Sequence, residues 1–145
     1  MEKYVTTSER ETVALGQRLA NRLNPGDVVA FYGELGSGKT RIIKGICSRL
    51  GVREHVASPT FTILNQYTNG SLEICHFDFY RLQSLAEIRD IGFDDFVNGE
   101  YICLIEWADR VLDVLPSKRY DIRLIHGSDE NTREISIEEI CEVPA

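Results

Sequence analysis

The chain has 145 residues with 16 basic and 23 acidic side chains, a formal net charge of −7 at pH 7. One domain of that length, residues 1–145, can bury a substantial core, and 43% hydrophobic with 27% charged residues is ordinary globular composition that excludes a disordered chain. No apolar run approaches the ~20 residues needed to cross a bilayer, and Met1–Arg10 lacks the apolar stretch of a signal peptide, so no membrane association and a cytoplasmic location are expected.

Residues 8–27 open the pattern. Ser8 and Glu11 form a capping box, after which Val13, Gly16, Leu19, Ala20 and Leu23 recur at helical spacing. Asn24-Pro25-Gly26-Asp27 is a turn, and Val28–Tyr32 is a short buried strand. A glycine-rich loop follows over 33–39, and Ile43, Ile46, Cys47 and Leu50 mark a helix face from Thr40 to Leu50 that Gly51 stops. Thr60–Tyr67 and Leu72–Tyr80 read as two strands around Thr68-Asn69-Gly70-Ser71, since Asn-Gly is a strong hairpin signal. Ser84 with Glu87 predicts a second capping box and a short helix ending near Gly92. Tyr101–Ile105 is an apolar run of buried-strand type, a helix is predicted from Ala108 to Leu115 before Pro116, and Tyr120–Ile125 and Glu134–Ile140 alternate like a closing pair of strands. Strands interleave with helices early and pair as hairpins later. The expected fold class is α/β, with a mixed parallel and antiparallel sheet flanked by helices.

Charge is unevenly divided. Residues 1–83 hold 10 basic and 8 acidic side chains, with bases gathered at Lys39, Arg41, Lys44, Arg49 and Arg53, whereas residues 84–145 hold 6 and 15. Phosphate neutralisation supplies most non-specific affinity for nucleic acid, so an acidic chain is a poor candidate for holding folded RNA alone. The basic cluster suits a small anionic ligand better. Cys47, Cys75, Cys103 and Cys141 are too far apart for a Cys-x-x-Cys metal or redox motif, and are expected to be buried, reduced thiols.

The strongest chemical signal is Gly33-Glu34-Leu35-Gly36-Ser37-Gly38-Lys39-Thr40, a full match to G-x-x-x-x-G-K-[ST]. Glycines let successive backbone N–H groups curl around an oxyanion, and the following helix points its positive end at it. Lys39 can reach the β- and γ-phosphates of a nucleotide, and the Thr40 hydroxyl can ligate Mg²⁺. Such a loop needs a carboxylate at the end of a neighbouring strand. Asp78, in His76-Phe77-Asp78-Phe79-Tyr80-Arg81, is one candidate, although it also fits an outward-facing polar position. Glu106 is the other, and a carboxylate closing the apolar run Tyr101–Ile105 is costly to bury without a partner.

The remaining polar signals are weaker alone. Trp107 is either a core or rim aromatic or a residue packing on the nucleotide, and His76 reads as a hydrogen-bonded structural histidine. Arg81 can answer phosphate charge or pair with an acidic neighbour. The hydroxyls of Ser58, Thr60 and Thr62 could approach a γ-phosphate, as switch segments do, or simply face solvent at the entry to a strand.

Taken together, GELGSGKT, SPTFTI, HFDFYRL and LIEW, in this order between Gly33 and Trp107, resemble the TsaE (YjeE) family, small bacterial P-loop ATPases of tRNA threonylcarbamoyladenosine biosynthesis. The amphipathic first helix with Glu11-Thr12 also fits, while the last 35 or so residues carry little signature. The resemblance implies ATP and Mg²⁺ as ligands, cytoplasmic ATP hydrolysis, and coupling to a TsaD–TsaB complex that modifies tRNAs reading ANN codons, with tRNA met only through that complex. It implies that residues 33–41 and Trp107 bind the nucleotide, that Thr40 and Glu106 bind Mg²⁺, that Asp78 supports the metal or the hydrolytic water, and that Thr60 belongs to a switch. Glu34 and Ser37 stand where many relatives have Asp and Ala, and Ala108 where Pro is common; none of these is a catalytic position. A small P-loop metabolite kinase is the alternative, but the acidic later half offers only scattered bases such as Arg110, Lys118 and Arg119 for an acceptor lid. A GTPase switch lacks its Asn-Lys-x-Asp run here.

Overall fold

The computed structural model describes residues 1–34, 36–59, 62–68 and 72–141. In chain order the elements are β1 (Glu2–Thr6), α1 (Glu9–Ala20), β2 (Val28–Tyr32), α2 (Lys39–Arg49), β3 (Leu64–Tyr67), β4 (Ile74–Asp78), α3 (Leu85–Asp90), α4 (Phe93–Val97), β5 (Ile102–Glu106), a 3₁₀ segment (Ala108–Val114), β6 (Arg119–His126) and β7 (Arg133–Ile140). The strands make one seven-stranded sheet in the order β1-β7-β6-β2-β5-β4-β3. β2 runs parallel to both β5 and β6, β4 runs parallel to β5, and the outer pairs β1–β7, β6–β7 and β3–β4 are antiparallel. The expected α/β class with a mixed sheet is therefore observed.

All residues of β2, β4 and β5 are buried, as parallel strands covered on both faces require. On one face, α1 and α2 pack over Val29, Phe31, Leu104, Ile122 and Ile135. On the other, α3, α4 and the 3₁₀ segment cover Ala30, Phe77, Cys103 and Ile105. There Phe93 meets Phe77 and Phe79 edge-on, at centroid distances of 5.2 and 5.7 Å. With both faces filled, the C-terminal ends of β2, β4 and β5 open at one rim, where ligand crevices form in sheets of this kind.

Several local expectations change. Ser8 caps α1 by accepting the Glu11 N–H at 3.1 Å, but the Glu11 carboxylate turns to Thr7, taking its N–H at 2.8 Å and its hydroxyl at 2.9 Å. The Ser84 hydroxyl makes no capping bond, and Glu87 accepts from the Gln83 N–H at 3.2 Å instead. Of the strand predicted over Thr60–Tyr67, the described part begins at Leu64, and Ile63 before it has φ 69° and donates its N–H to the Pro59 carbonyl at 2.7 Å. The predicted Asn69-Gly70-Ser71 turn lies outside the described residues. The helix expected over 108–115 is a 3₁₀ segment broken at Val111, and β1 and α4 are elements the periodicity did not suggest. Cys47, Cys75 and Cys103 are buried as expected, whereas Cys141 is exposed. Burial pushes the Cys47 thiol up to about 12, so it stays protonated and inert.

α1 and α2 touch backbone to backbone through two glycines. A Cβ on Gly16 would overlap the Ile42 carbonyl oxygen, and one on Gly45 would overlap that of Val13. Overpacking of this kind costs about 1–3 kcal/mol or more. Gly45→Ala is therefore expected to lower the unfolding free energy measured by urea titration by that amount, and an unchanged midpoint would contradict the close approach.

Candidate functional site

The site grows from the turn after β2. Gly36 and Gly38 adopt φ of 77° and 104°, conformations that a Cβ disfavours. At Gly33 a Cβ would lie 2.6 Å from Ser37 Oγ and 2.8 Å from the Leu124 carbonyl oxygen, so only glycine fits. Gly38 leads directly into α2 without any side-chain cap, which leaves the first N–H groups of that helix facing the loop. A helix start behind a glycine turn is the kind of place that can take an anion.

Lys39, the first residue of α2, is 5% exposed. Its ammonium donates to the Gly33 carbonyl and lies 3.7 Å from the centroid of the Trp107 ring. Burial pulls its pKa below the ordinary lysine value, opposed by the negative charges of Glu106, Asp78 and Asp109. Trp107 holds φ 58° and ψ 42°, a left-handed backbone that is unusual for so bulky a residue, and its ring packs tilted against Tyr80 with centroids 4.8 Å apart. The indole is thereby fixed beside the lysine at the mouth of a cavity of about 340 Å³, which Gly36, Ser37, Gly38, Thr40, Ser58, Asp78, Arg81 and Glu106 also line.

Both candidate carboxylates sit at this cavity because parallel β4 and β5 place Asp78 opposite Glu106 at their C-terminal ends. Glu106, 3% exposed, accepts at Oε1 from the Thr40 hydroxyl at 3.2 Å and at Oε2 lies 2.7 Å from His76 Nε2. Asp78, 2% exposed, accepts the Tyr80 N–H at 2.9 Å and the Ser58 hydroxyl. The Thr40 and Glu106 oxygens are hard donors on adjoining elements, the chemistry Mg²⁺ prefers. No group of three or more His, Cys, Asp or Glu able to hold a metal occurs among the described residues. The set thus fits a cation that takes its other oxygens from phosphate and water, rather than a self-contained metal cage.

Of the other residues read from the sequence, Gly33 supplies the carbonyl beneath Lys39. Arg41 lines the cavity mouth but pairs with Glu9 at the surface, where an ion pair adds little stability. Glu34 is exposed and lines a separate cavity of about 390 Å³ with Tyr32 and Arg123. Leu35 and Thr60, expected in the loop and the switch, lie outside the described residues. Ser58, from the same expected switch, reaches Asp78, whereas Thr62 is exposed and meets Asn65 at 3.5 Å.

One residue of the site was not read from the sequence. Arg133, at the start of β7, donates from Nε to the Ser37 carbonyl at 3.1 Å and from Nη2 to the Gly36 carbonyl at 3.1 Å. Its Nη1 donates to the Glu130 and Thr132 carbonyls at 2.7 and 3.0 Å, which anchors it to its own turn. These bonds tie the Gly36 and Ser37 carbonyls of the loop to the start of β7. The only available signal was that Arg133 is the one Lys or Arg after Arg123, in an otherwise acidic stretch. Arg133→Met should keep the fold and weaken nucleotide binding about tenfold, equivalent to ~1.4 kcal/mol; unchanged affinity by calorimetry would remove the bracing role.

Comparison with known proteins agrees with this geometry. Residues 6–135 match the family described as threonylcarbamoyl adenosine biosynthesis protein TsaE. The chain is 41% identical over 135 residues to tRNA threonylcarbamoyladenosine biosynthesis protein TsaE of Treponema pallidum, covering 93% of this chain and 98% of that one. It is 39% identical over 134 residues to the protein of the same name from Bacillus subtilis, covering 92% and 83%. The crystal structure of Bacillus subtilis YdiB superimposes with a TM-score of 0.83 at 34% identity, over 97% of this chain and 86% of that one. The glycine loop, the paired carboxylates and these matches lead to one conclusion: the chain belongs to the TsaE family.

Proposed function

We propose that this TsaE-family chain is a Mg²⁺-dependent P-loop ATPase of tRNA threonylcarbamoyladenosine biosynthesis, with turnover coupled to a TsaD–TsaB complex in the cytoplasm. The biosynthetic role follows from family membership, which does not favour the small metabolite kinase that the residues alone leave open. The observation that carries the ATPase reading is the meeting of Thr40 Oγ1 and Glu106 Oε1 at 3.2 Å, beside Lys39 and at the mouth of the glycine loop. The family names concern modified tRNA, while the chain is acidic. Both fit an accessory protein that meets tRNA through partners that hold it. No helix among the described residues is long and apolar enough to cross a membrane.

In this reading the loop N–H groups and the α2 terminus bind the β- and γ-phosphates, and the Lys39 ammonium exchanges the Gly33 carbonyl for a phosphate oxygen. Mg²⁺, held by Thr40 and Glu106, would offset the charge that builds on the phosphate oxygens. A water attacks the γ-phosphorus as the bond to the β–γ bridging oxygen breaks, leaving ADP and phosphate. Asp78, whose oxygens already hold Tyr80 and Ser58, is fixed to orient that water or its neighbours. Ser58, tied to Asp78, belongs to the segment that would respond to the γ-phosphate and to its release on hydrolysis.

The separating experiment measures ATP binding and turnover for wild type, Lys39→Ala, Glu106→Gln and Asp78→Asn. Lys39→Ala should lose ATP binding, and Glu106→Gln should keep it while turnover falls about 10²–10⁴-fold. Wild-type affinity in folded Lys39→Ala sinks the reading. Near-normal turnover in Glu106→Gln with loss only in Asp78→Asn reverses the two roles. Omitting the protein from multiple-turnover threonylcarbamoyladenosine formation by TsaD–TsaB should lower the yield, and an unchanged yield refutes the coupling.

A further inference from the structure

We propose that Tyr67 and His76 are positioning residues for Glu106: Tyr67 holds the His76 ring in one tautomer, and that ring orients the Glu106 carboxylate for the metal. This rests on the Mg²⁺–ATP reading above and adds two residues that line no part of the nucleotide cavity. Tyr67 is 3% exposed and His76 fully buried. Tyr67 Oη lies 3.1 Å from His76 Nδ1, and His76 Nε2 lies 2.7 Å from Glu106 Oε2. With Thr40 at Oε1, the line runs from edge strand β3 across β4 to the end of β5 and into α2.

The sheet register dictates this course. His76 stands opposite Asn65 on one side and Leu104 on the other, so Tyr67 and Glu106 are both its diagonal neighbours, two residues along. Long side chains reach across such diagonals. The three polar groups sit among Ile74, Leu104 and other apolar side chains of the α2 face, where an apolar filling would spare them desolvation. What they supply instead is direction.

The hydrogen-bond network assigns the protons. A carboxylate oxygen only accepts, so His76 Nε2 must carry its hydrogen toward Glu106. Burial raises the pKa of the Tyr67 hydroxyl, which therefore keeps its proton. The hydroxyl proton is then left for His76 Nδ1. Without Tyr67 Oη, the ring is free to move its proton to Nδ1, which turns a lone pair on the carboxylate. The Thr40 hydroxyl then holds Glu106 alone. Partners of this sort, one bond removed from a metal ligand, commonly change metal affinity 10–100-fold. Asn65 Nδ2 donates to the Ala57 carbonyl at 3.3 Å, next to Ser58, which bonds Asp78.

The test combines two measurements on the full chain. Nitrogen-15 histidine spectra should show His76 protonated at Nε2 and bare at Nδ1, and Tyr67→Phe should shift it toward a mixture. Calorimetry with ATP, with and without Mg²⁺, should show metal-free affinity within about twofold of wild type for Tyr67→Phe and His76→Ala. The gain conferred by Mg²⁺ should fall about 10–100-fold. His76→Gln, whose amide can place a donor near Nε2, should recover most of that gain. A wild-type His76 protonated at Nδ1, a full Mg²⁺ gain in Tyr67→Phe, or a His76→Gln no better than His76→Ala overturns the proposal. Absence of any Mg²⁺ gain in the wild type overturns the Mg²⁺–ATP reading itself, and this proposal with it.

Discussion

A carboxylate closing a buried strand is the constraint on which this structure turns. Glu106 is 3% exposed at the end of β5, a strand that is apolar up to that point. An unpartnered charge there would be expelled or neutralised, and breaking such a buried pair typically costs ~3–5 kcal/mol. The chain answers with one donor for each oxygen, Thr40 from α2 and His76 from β4. Those two contacts require β4 beside β5, β5 beside β2, and α2 launched from the end of β2. That is the observed sheet order around the loop.

The same rim holds the opposite charge. Lys39 is buried beside an indole, and the carboxylates of Glu106, Asp78 and Asp109 partly offset its desolvation. The loop that presents it depends on glycines at positive φ from within and on Arg133 from outside. The two non-glycine residues at positive φ among those described, Ile63 and Trp107, both border this rim. The Ile63 carbonyl accepts the Asp78 N–H at 2.9 Å, and Trp107 directly follows Glu106. Such backbone costs free energy that the packing around both carboxylates must hold in place.

Legibility in the sequence follows the range of each interaction. The glycine loop, its strand and its helix are contiguous, so their chemistry can be read locally, as can Asp78 and Glu106 from the apolar runs they close. Arg133 acts on a loop 97 residues away and begins a strand that looks like any other alternating strand, so nothing local marks it. His76 reads as a structural histidine, and its buried place is as expected, but its link to Glu106 depends on the pairing of β4 with β5. β1 is half polar, because its outer side chains face water and only Tyr4 and Thr6 turn inward, which hid it. The expected helix after Trp107 is a 3₁₀ segment with a break at Val111, a distinction between two helical forms that apolar spacing does not encode. Ser8 and Ser84 carry the same capping-box pattern, yet only Ser8 caps, so that pattern marks a helix start more reliably than the bond itself.

The central claim is that Glu106 and Thr40 jointly form the metal side of a nucleotide site built on the glycine loop. A crystal structure of the chain with Mg²⁺ and a non-hydrolysable ATP analogue tests it most directly. The expected result has the β- and γ-phosphates inside the loop, Mg²⁺ ligated by Thr40 Oγ1 with the Glu106 carboxylate bound directly or through one water, and His76 Nε2 still on Glu106. Phosphates bound away from the 33–40 loop, or a metal whose ligands exclude both Thr40 and Glu106, would contradict it.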